Sequence, residues 1–411
     1  MTANLRITRL AANPAVHRAF QWLHLHEPQL RKWQLEVLRI PAPPFGEAAR
    51  AAWFLSRFTD LNLTHPHLDA AGNALAILGA PCQTASPSEV GMPAQINQPN
   101  ILLSAHLDTV FPSTTPTEPI EQDSRILAPG ACDNAAGLTA LLAIAAAMQH
   151  AQLIPAVPIL FAANVGEEGE GNLRGMKHLF NPANPEAKTI AAAIALEGSG
   201  SSAVITQALA SRRFRVTVTG PGGHAWTDAG APNPILLLAR ALLDLAPLST
   251  SLDHHPRTTL NVGLISGGTS INSIPASAFA LLDLRSTSPA ALDAAELTLR
   301  QSLTQSIPTL SIDLIGDRPG GALPGDSPLL ATLRAVNRHL NLRTEPSLGS
   351  TDANIPLSLG IPAIAIGASG TGGGIHTLHE WYDPTGRTLA LRRILLTLLD
   401  TAHLAAALPE N

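Results

Sequence analysis

The sequence predicts an α/β protein: a mostly parallel sheet with helices on both faces, carrying an inserted α+β domain of the ferredoxin-like type. Three observations carry this. Short apolar runs such as "NILLSAHLD" (100–108) and "PILFAANV" (158–165) read as buried strands. Helical candidates alternate with them, as βαβ units require. Near residue 209 the pattern changes to strict alternation, and the order becomes β-α-β-β-α-β until about residue 319. The expected division is therefore 1–208 and 320–411 for the large domain and 209–319 for the insert.

In chain order, residues 14–60 are helical, with Leu23, Trp33, Leu35, Val37, Trp53, Phe54 and Leu55 near helical spacing. "RIPAPPFGE" breaks them into two helices, because proline cannot donate to a helix interior. "NALAILG" (73–79) is a strand, and the polar, Pro-rich 80–99 is a surface loop. Strand 100–108, helix 134–150, strand 158–165, helix 173–180 and strand "AAAIALEG" (191–198) follow. In "RRFRVTVTG" (212–220), Phe214, Val216 and Val218 share one face, and Arg215, Thr217 and Thr219 share the other. A helix (233–247), strands near 257–265 and 277–285, a helix (288–305) and a strand (309–316) complete the insert. Beyond "DRPGGALPGD" the α/β pattern resumes, ending in the strand "IPAIAIGAS" (361–369).

The chain has 411 residues, 45% hydrophobic and 14% charged, which is enough to bury a large core. A net charge of −5, spread without blocks, offers no footprint for nucleic acid or an anionic membrane. No apolar run reaches the roughly 18 residues of a membrane span, and the first twenty residues lack a signal-peptide pattern. Two cysteines, Cys82 and Cys132, cannot form a disulfide framework and fit a reducing, cytoplasmic compartment.

Polar residues gather where the large-domain strands end: His106 and Asp108, Glu167 and Glu168, Glu197, and after the last strand His376, His379 and Glu380. Asp133 precedes a helix in "GACDNAAGL". A parallel sheet brings such ends to one edge, where ligands bind. Two imidazoles and about four carboxylates there would repel unless cations neutralise them. This nitrogen and oxygen set suits Zn²⁺, with Mn²⁺ or Co²⁺ as substitutes, and it exceeds the needs of one tetrahedral ion. Two ions bridged by a carboxylate fit it better.

"SAHLDTVF", "GACDNAAGL", "GEEGEGNLRG", "LEG", "GPGGHAW" and "GIHTLHE" resemble, in order and spacing, the M20 co-catalytic metallopeptidase family. That family includes tripeptide aminopeptidase, glutamate carboxypeptidase, aminoacylase and related deacylases. The resemblance spans about residues 35 to 400. It implies that His106, Asp133 and Glu197 hold one metal, and that Asp133, Glu168 and His376 hold a second. Asp108 would orient the His106 ring through its second nitrogen. Glu167 would be the general base, moving a proton from the attacking water to the leaving amine. The insert would be a lid and dimerisation domain, making a homodimer. Its His224 would stabilise the oxyanion, often in the partner's site. Asn272 and Arg285 would meet the polar end of the substrate, and "GSTDAN" (349–354) resembles a loop beside the pocket.

The implied activity is cleavage of small peptides by an exopeptidase or di/tripeptidase. An N-acyl-amino-acid deacylase is the alternative, and a catalytically silent scaffold on the same fold is a second. Glu197, where aminopeptidases of the family tend to have Asp, points to the deacylase and carboxypeptidase branches. "GNLRGMKHLF" and "HTLHE" look more like the tripeptidase branch. Elsewhere Cys132 reads as packing, Glu170 as a solvated turn residue, and His379 as a neighbour of the ligand. Glu380 is open between pocket and structural roles. His24, His26, His65, His67, His150, His254, His255 and His339 read as surface or satisfied histidines.

Overall fold

The computed structural model describes residues 1–79, 99–246, 256–307, 310–368 and 370–407. The expected loop 80–99 therefore falls, but for residue 99, outside the described residues, as do Cys82, His254 and His255. The chain divides into two compact units: Met1–Gln207 with Ala322–Asn411, and Ala208–Gly321.

The first unit opens with four helices: α1 (Ala3–Ala11), α2 (Pro14–Leu25), α3 (Glu27–Leu38) and α4 (Ala48–Asp60). Strands β1 (Thr64–Leu68), β2 (Ala74–Leu78), β3 (Asn100–His106), β4 (Ile120–Gln122) and β5 (Arg125–Leu127) precede the long helix α5 (Ala135–Ala151). Then come β6 (Ile159–Asn164), α6 (Arg174–Leu179), β7 (Ile190–Leu196) and β8 (Ala203–Ala208). The second unit holds β9 (Ala210–Thr219), β10 (Gly223–His224), α7 (Pro234–Asp244), β11 (Thr258–Gly267), β12 (Ser273–Ile274), β13 (Ser277–Ser286), α8 (Pro289–Ser306) and β14 (Leu310–Arg318). The chain then returns to the first unit with α9 (Pro328–His339), β15 (Glu345–Gly349), α10 (Asn354–Ser358), β16 (Ala363–Ile366), β17 (Thr371–Gly373), β18 (Trp381–Asp383) and α11 (Arg387–Ala405).

The main sheet runs β1-β2-β6-β3-β7-β16-β8, with β15 also on β8. Its centre, β6-β3-β7-β16, is parallel; the β1-β2-β6 side and the β8 pairing are antiparallel. Every residue of β6 and β16 is buried, as are all but one in β3 and β7, which is why those runs are continuously apolar rather than alternating. Helix α5 is buried along nearly its whole length, so it shows no amphipathic stripe. Its alanines let it lie close against β3, β6 and β7. A separate small sheet, β17-β18-β5-β4, carries the chain on either side of the 374–380 loop.

In the second unit the sheet order is β11-β13-β9-β14, all antiparallel, with α7 and α8 packed on β9 and β13. Phe214, Val216 and Val218 are fully buried against Ala280, Leu282, Leu238 and Leu299. Each such large side chain contributes about 1.5–3 kcal/mol by leaving water.

Candidate dinuclear metal site

All the strand-end residues lie in the first unit, and the parallel register sets them side by side. His106 pairs with Asn164 across β3 and β6, so the chain beyond each strand leaves the sheet at one edge. The β6 exit turns sharply. Gly166 takes a φ of 67°, and a Cβ on Gly171 would lie 2.5 Å from the Gly166 Cα. Only glycines allow this crossing, and it faces Glu167 and Glu168 into the site, 5% and 7% exposed, while leaving Glu170 exposed.

His106 is fully buried. Its Nδ1 lies 3.0 Å from the Asp108 main-chain oxygen and donates to it. That hydrogen bond leaves Nε2 as the ring nitrogen that faces the site and would be offered to a metal. Nε2 faces Asp133 Oδ1 at 3.0 Å and Glu197 Oε1 at 3.3 Å. On the other side, His376 Nε2 is 3.2 Å from Asp133 Oδ2 and 2.9 Å from Glu168 Oε1. The two oxygens of Asp133 thus face two different imidazoles, in the disposition of a bridging carboxylate. Three groups bring their donor atoms within 4.8 Å of one another: His106–Asp133–Glu197, Asp133–Glu168–His376 and His106–Glu167–Glu168. His379 is exposed and lies outside all three.

Asp108 differs from the expectation in one respect. Its carboxylate is 3.6 Å from His106 Nδ1, and its oxygens instead accept the backbone N–H groups of Glu167 (3.0 Å) and Glu168 (2.7 Å). Main chain holds the imidazole, and the carboxylate holds the turn that carries the two glutamates. Buried Arg50 ties down the β3 exit between His106 and Asp108, donating from Nη1 to the Leu107 oxygen at 2.6 Å, and from Nε and Nη2 to the Ile40 oxygen.

Two residues of the site, Asn134 and Asn164, were given no role by sequence, and Asp352 was named only as part of the "GSTDAN" loop. Asn134 caps α5 through Gly137 N–H, and its Nδ2 donates to the Leu196 oxygen at 2.9 Å, tying the Asp133 loop to the strand end that bears Glu197. Asn164 Nδ2 donates to buried Asp352 Oδ2 at 2.8 Å, and burial pushes the Asp352 carboxyl up to about 7. An Asn closing an apolar strand and an Asn before a helical run were the available signals.

Electrostatically the donors favour positive charge at their centre. Burial opposes charge on His106 most strongly, yet Glu197, Asp108 and Asp133 outweigh it and raise its pKa well above the ordinary imidazole value. The hydrogen bond to Asp133, against a smaller burial penalty, raises His376 to about 9. Burial pushes the Asp133 carboxyl up, but its bonds to both imidazoles hold it below the usual carboxylate range. Glu168 moves the other way, raised by burial and then by Asp133. Cys132 is buried, its thiol pushed up to about 11, and it belongs to none of the three groups. The donor chemistry fits two divalent cations sharing Asp133.

In the second unit, β10 pairs with β12, and the Ala225 N–H donates to the Asn272 oxygen at 3.0 Å. His224 is exposed, and its Nδ1 accepts the N–H groups of Trp226 (3.1 Å) and Thr227 (3.4 Å). Nε2 therefore carries the proton and is a donor. Arg285 lies near the far end of β13, eight residues from its start, with its Nε on Asp283 Oδ2 at 2.7 Å. The structure gathers His224 and Asn272 but does not bring Arg285 to them.

The chain thus combines a sheet with a parallel centre, whose strand ends carry a histidine–carboxylate cluster, with a separate ferredoxin-like unit, the two parts of a metal-binding peptidase class. Residues 102–400 match the Peptidase family M20/M25/M40, and the chain belongs to that family. It is 29% identical over 263 residues to a "probable carboxypeptidase" of Aspergillus clavatus, covering 58% of this chain and 54% of that one. It is 30% identical over 206 residues to one of Aspergillus flavus, covering 46% and 48%. The chain spans about half the length of the curated relatives it matches. Among solved structures it resembles a tripeptidase of Staphylococcus aureus (TM-score 0.71, 21% identity, 92% of this chain and 99% of that). It also resembles a Bacillus subtilis protein described as a dinuclear metal binding peptidase of the M20 family (TM-score 0.63, 13% identity, 92% and 98%). Those structural likenesses carry the fold.

Proposed function

We propose that the chain is a dinuclear-metal hydrolase cleaving amide bonds of small peptides as an exopeptidase or di/tripeptidase. The observation that carries this is Asp133, with its two oxygens facing His106 and His376 and with Glu197 and Glu168 completing the two sides. His106, Asp133 and Glu197 would hold one ion and Asp133, Glu168 and His376 the other, with Zn²⁺ the first choice and Co²⁺ or Mn²⁺ as substitutes. When bound, such ions would supply Lewis-acid polarisation of a carbonyl and a lowered pKa for water at the site.

The rest is work for the chain's own groups. Glu167 takes a proton from the attacking water and passes it to the leaving amine nitrogen. Asp108 keeps Glu167 and Glu168 facing inward by holding their amides. The reading assigns His224 to the substrate's oxyanion, which its Nε2–H tautomer suits. Asn272, beside it, is the proposed substrate contact; Arg285, expected to be a second, lies at the far end of β13 and would reach only a different part of the substrate. The domain reading follows: a catalytic unit and an inserted lid.

By the family resemblance Glu197 points to the carboxypeptidase and deacylase branches, and the curated relatives described as probable carboxypeptidases support the first. Glu197 keeps an N-acyl-amino-acid deacylase as the second reading. A scaffold role is disfavoured because the full donor set is present. Short peptides with free and blocked termini should be assayed against N-acetyl and N-succinyl amino acids. Turnover of peptides is expected; turnover of acylated amino acids alone would overturn the peptidase reading in favour of the deacylase.

The partner reading is a homodimer through the inserted unit. Beyond Leu260, β11 exposes both of its faces at the sheet edge, including Val262, Leu264 and Ile265, and α7 exposes Leu236 (68%) and Leu243 (73%). An open apolar edge strand is a template for pairing with a second copy. Sedimentation is expected to give a dimer, and Leu243→Lys with Leu264→Lys to give a monomer. A monomeric wild type would refute this. The described residues contain no helix long and apolar enough to cross a membrane. The cytoplasmic location belongs to this reading through the cysteine usage.

A further inference from the structure

We infer that Glu380 is a positioning residue for the metal site: a buried carboxylate that locks the Asp133 loop to the His376 loop without touching metal or substrate. Glu380 is fully buried. Its Oε1 accepts the N–H groups of Cys132 and Asp133, each at 2.8 Å, and its Oε2 accepts that of Gly130 at 3.1 Å. Three successive-turn amides converging on one carboxylate form a strong, directional anion cradle. The anion is supplied from 247 residues further along the chain.

The main chain repeats the connection. Glu380 O accepts the Ala128 N–H at 3.1 Å, and the next residue, Trp381, pairs with Leu127 across β18 and β5. The segments 127–133 and 374–381 are therefore sewn together, by ladder hydrogen bonds at one end and by the Glu380 carboxylate at the other. His376 sits between, at a φ of 64° that a β-carbon disfavours, so its loop needs external restraint to hold that conformation. Glu380 also closes that loop from within, donating its N–H to the Thr377 oxygen at 3.2 Å.

The division of labour is then symmetrical. Asp108 sets the turn bearing Glu167 and Glu168 by accepting two amides; Glu380 sets the turn bearing Asp133 by accepting three, and ties it to the loop bearing His376. Neither carboxylate joins any of the three donor groups. Supporting groups of this kind typically change metal affinity by about 10–100-fold when removed.

The inference rests on the reading of Asp133 and His376 as ligands, and the experiment separates the two. Zn²⁺ is titrated calorimetrically into metal-free wild type, Glu380→Gln and Glu380→Asp. The glutamine keeps the length but places an NH₂ against the Gly130 N–H. The aspartate keeps the charge but falls one methylene short. Both are expected to weaken at least one of the two Zn²⁺ equivalents by about 10-fold or more, while their metal-free melting temperatures stay within a few degrees of wild type. In the glutamine variant, amide exchange at Gly130, Cys132 and Asp133 is expected to rise. Wild-type affinities in both variants would overturn the role of Glu380 alone. A wild type that binds no Zn²⁺ would overturn the ligand reading, and this inference with it. If neither variant folds, wild-type exchange decides: unprotected amides at Gly130, Cys132 and Asp133 would overturn the clamp, and protected ones support it.

Discussion

Glu167→Gln is expected to lower kcat by about 10²–10⁴-fold, the range a positioned general base supplies, with metal content and melting temperature unchanged. The argument starts from what holds the side chain in place. The Glu167 amide is fixed by Asp108 Oδ1 at 3.0 Å, so the turn does not depend on the Glu167 carboxylate. Glutamine preserves its size in a site where Glu167 is only 5% exposed, so packing is kept and only proton-accepting ability is lost. Position alone does not separate a base from a ligand, because a Glu167 oxygen lies within 4.8 Å of donor atoms of both His106 and Glu168. Steady-state kinetics with metal analysis on the same sample does separate them. Loss of kcat with two metals retained supports the base. Loss of one metal would make Glu167 a ligand, and activity within about tenfold of wild type would move the base elsewhere.

The same contrast explains what could be read from sequence. His106, Glu168 and Glu197 were legible because a polar residue ending a buried apolar run has little reason to be there except function. The alternation of β9 was legible because half-burial leaves a period of two in the sequence. The main sheet's antiparallel flanks were not, since an apolar run such as "NALAILG" carries no sign of its direction. The β17-β18-β5-β4 sheet escaped notice because strands of three residues are too short for periodicity. Helix α1 began eleven residues before the expected helical region, where the one signal was Thr2 capping the Leu5 N–H. What sequence missed most was support. Asn164–Asp352 and Glu380 with the 130–133 amides join segments 188 and about 250 residues apart, and Asp108 binds main chain, which leaves no side-chain partner to recognise.

Asp133→Ala is expected to do the opposite of Glu167→Gln: activity falls to background because metal is lost. The structural reason is that one side chain serves both halves of the site, with Oδ1 at 3.0 Å from His106 Nε2 and Oδ2 at 3.2 Å from His376 Nε2. Zinc sites of four protein ligands bind with roughly 10–16 kcal/mol, so one ligand is worth about 3 kcal/mol, or about 10²-fold in affinity. A shared carboxylate counts once at each ion, so both equivalents should weaken by about that factor, whereas Glu197→Ala should weaken mainly one. Stability supplies an independent readout. At fixed free metal about 100 times the wild-type Kd, a 10²-fold weaker site gives up about 2 kcal/mol of ligand-induced stabilisation. Wild type should therefore melt lower when a chelator is added, and Asp133→Ala should respond little. A variant that kept both metals and its chelator response would place the bridge on another carboxylate, with Glu168, raised in pKa by burial and by Asp133, the next to test.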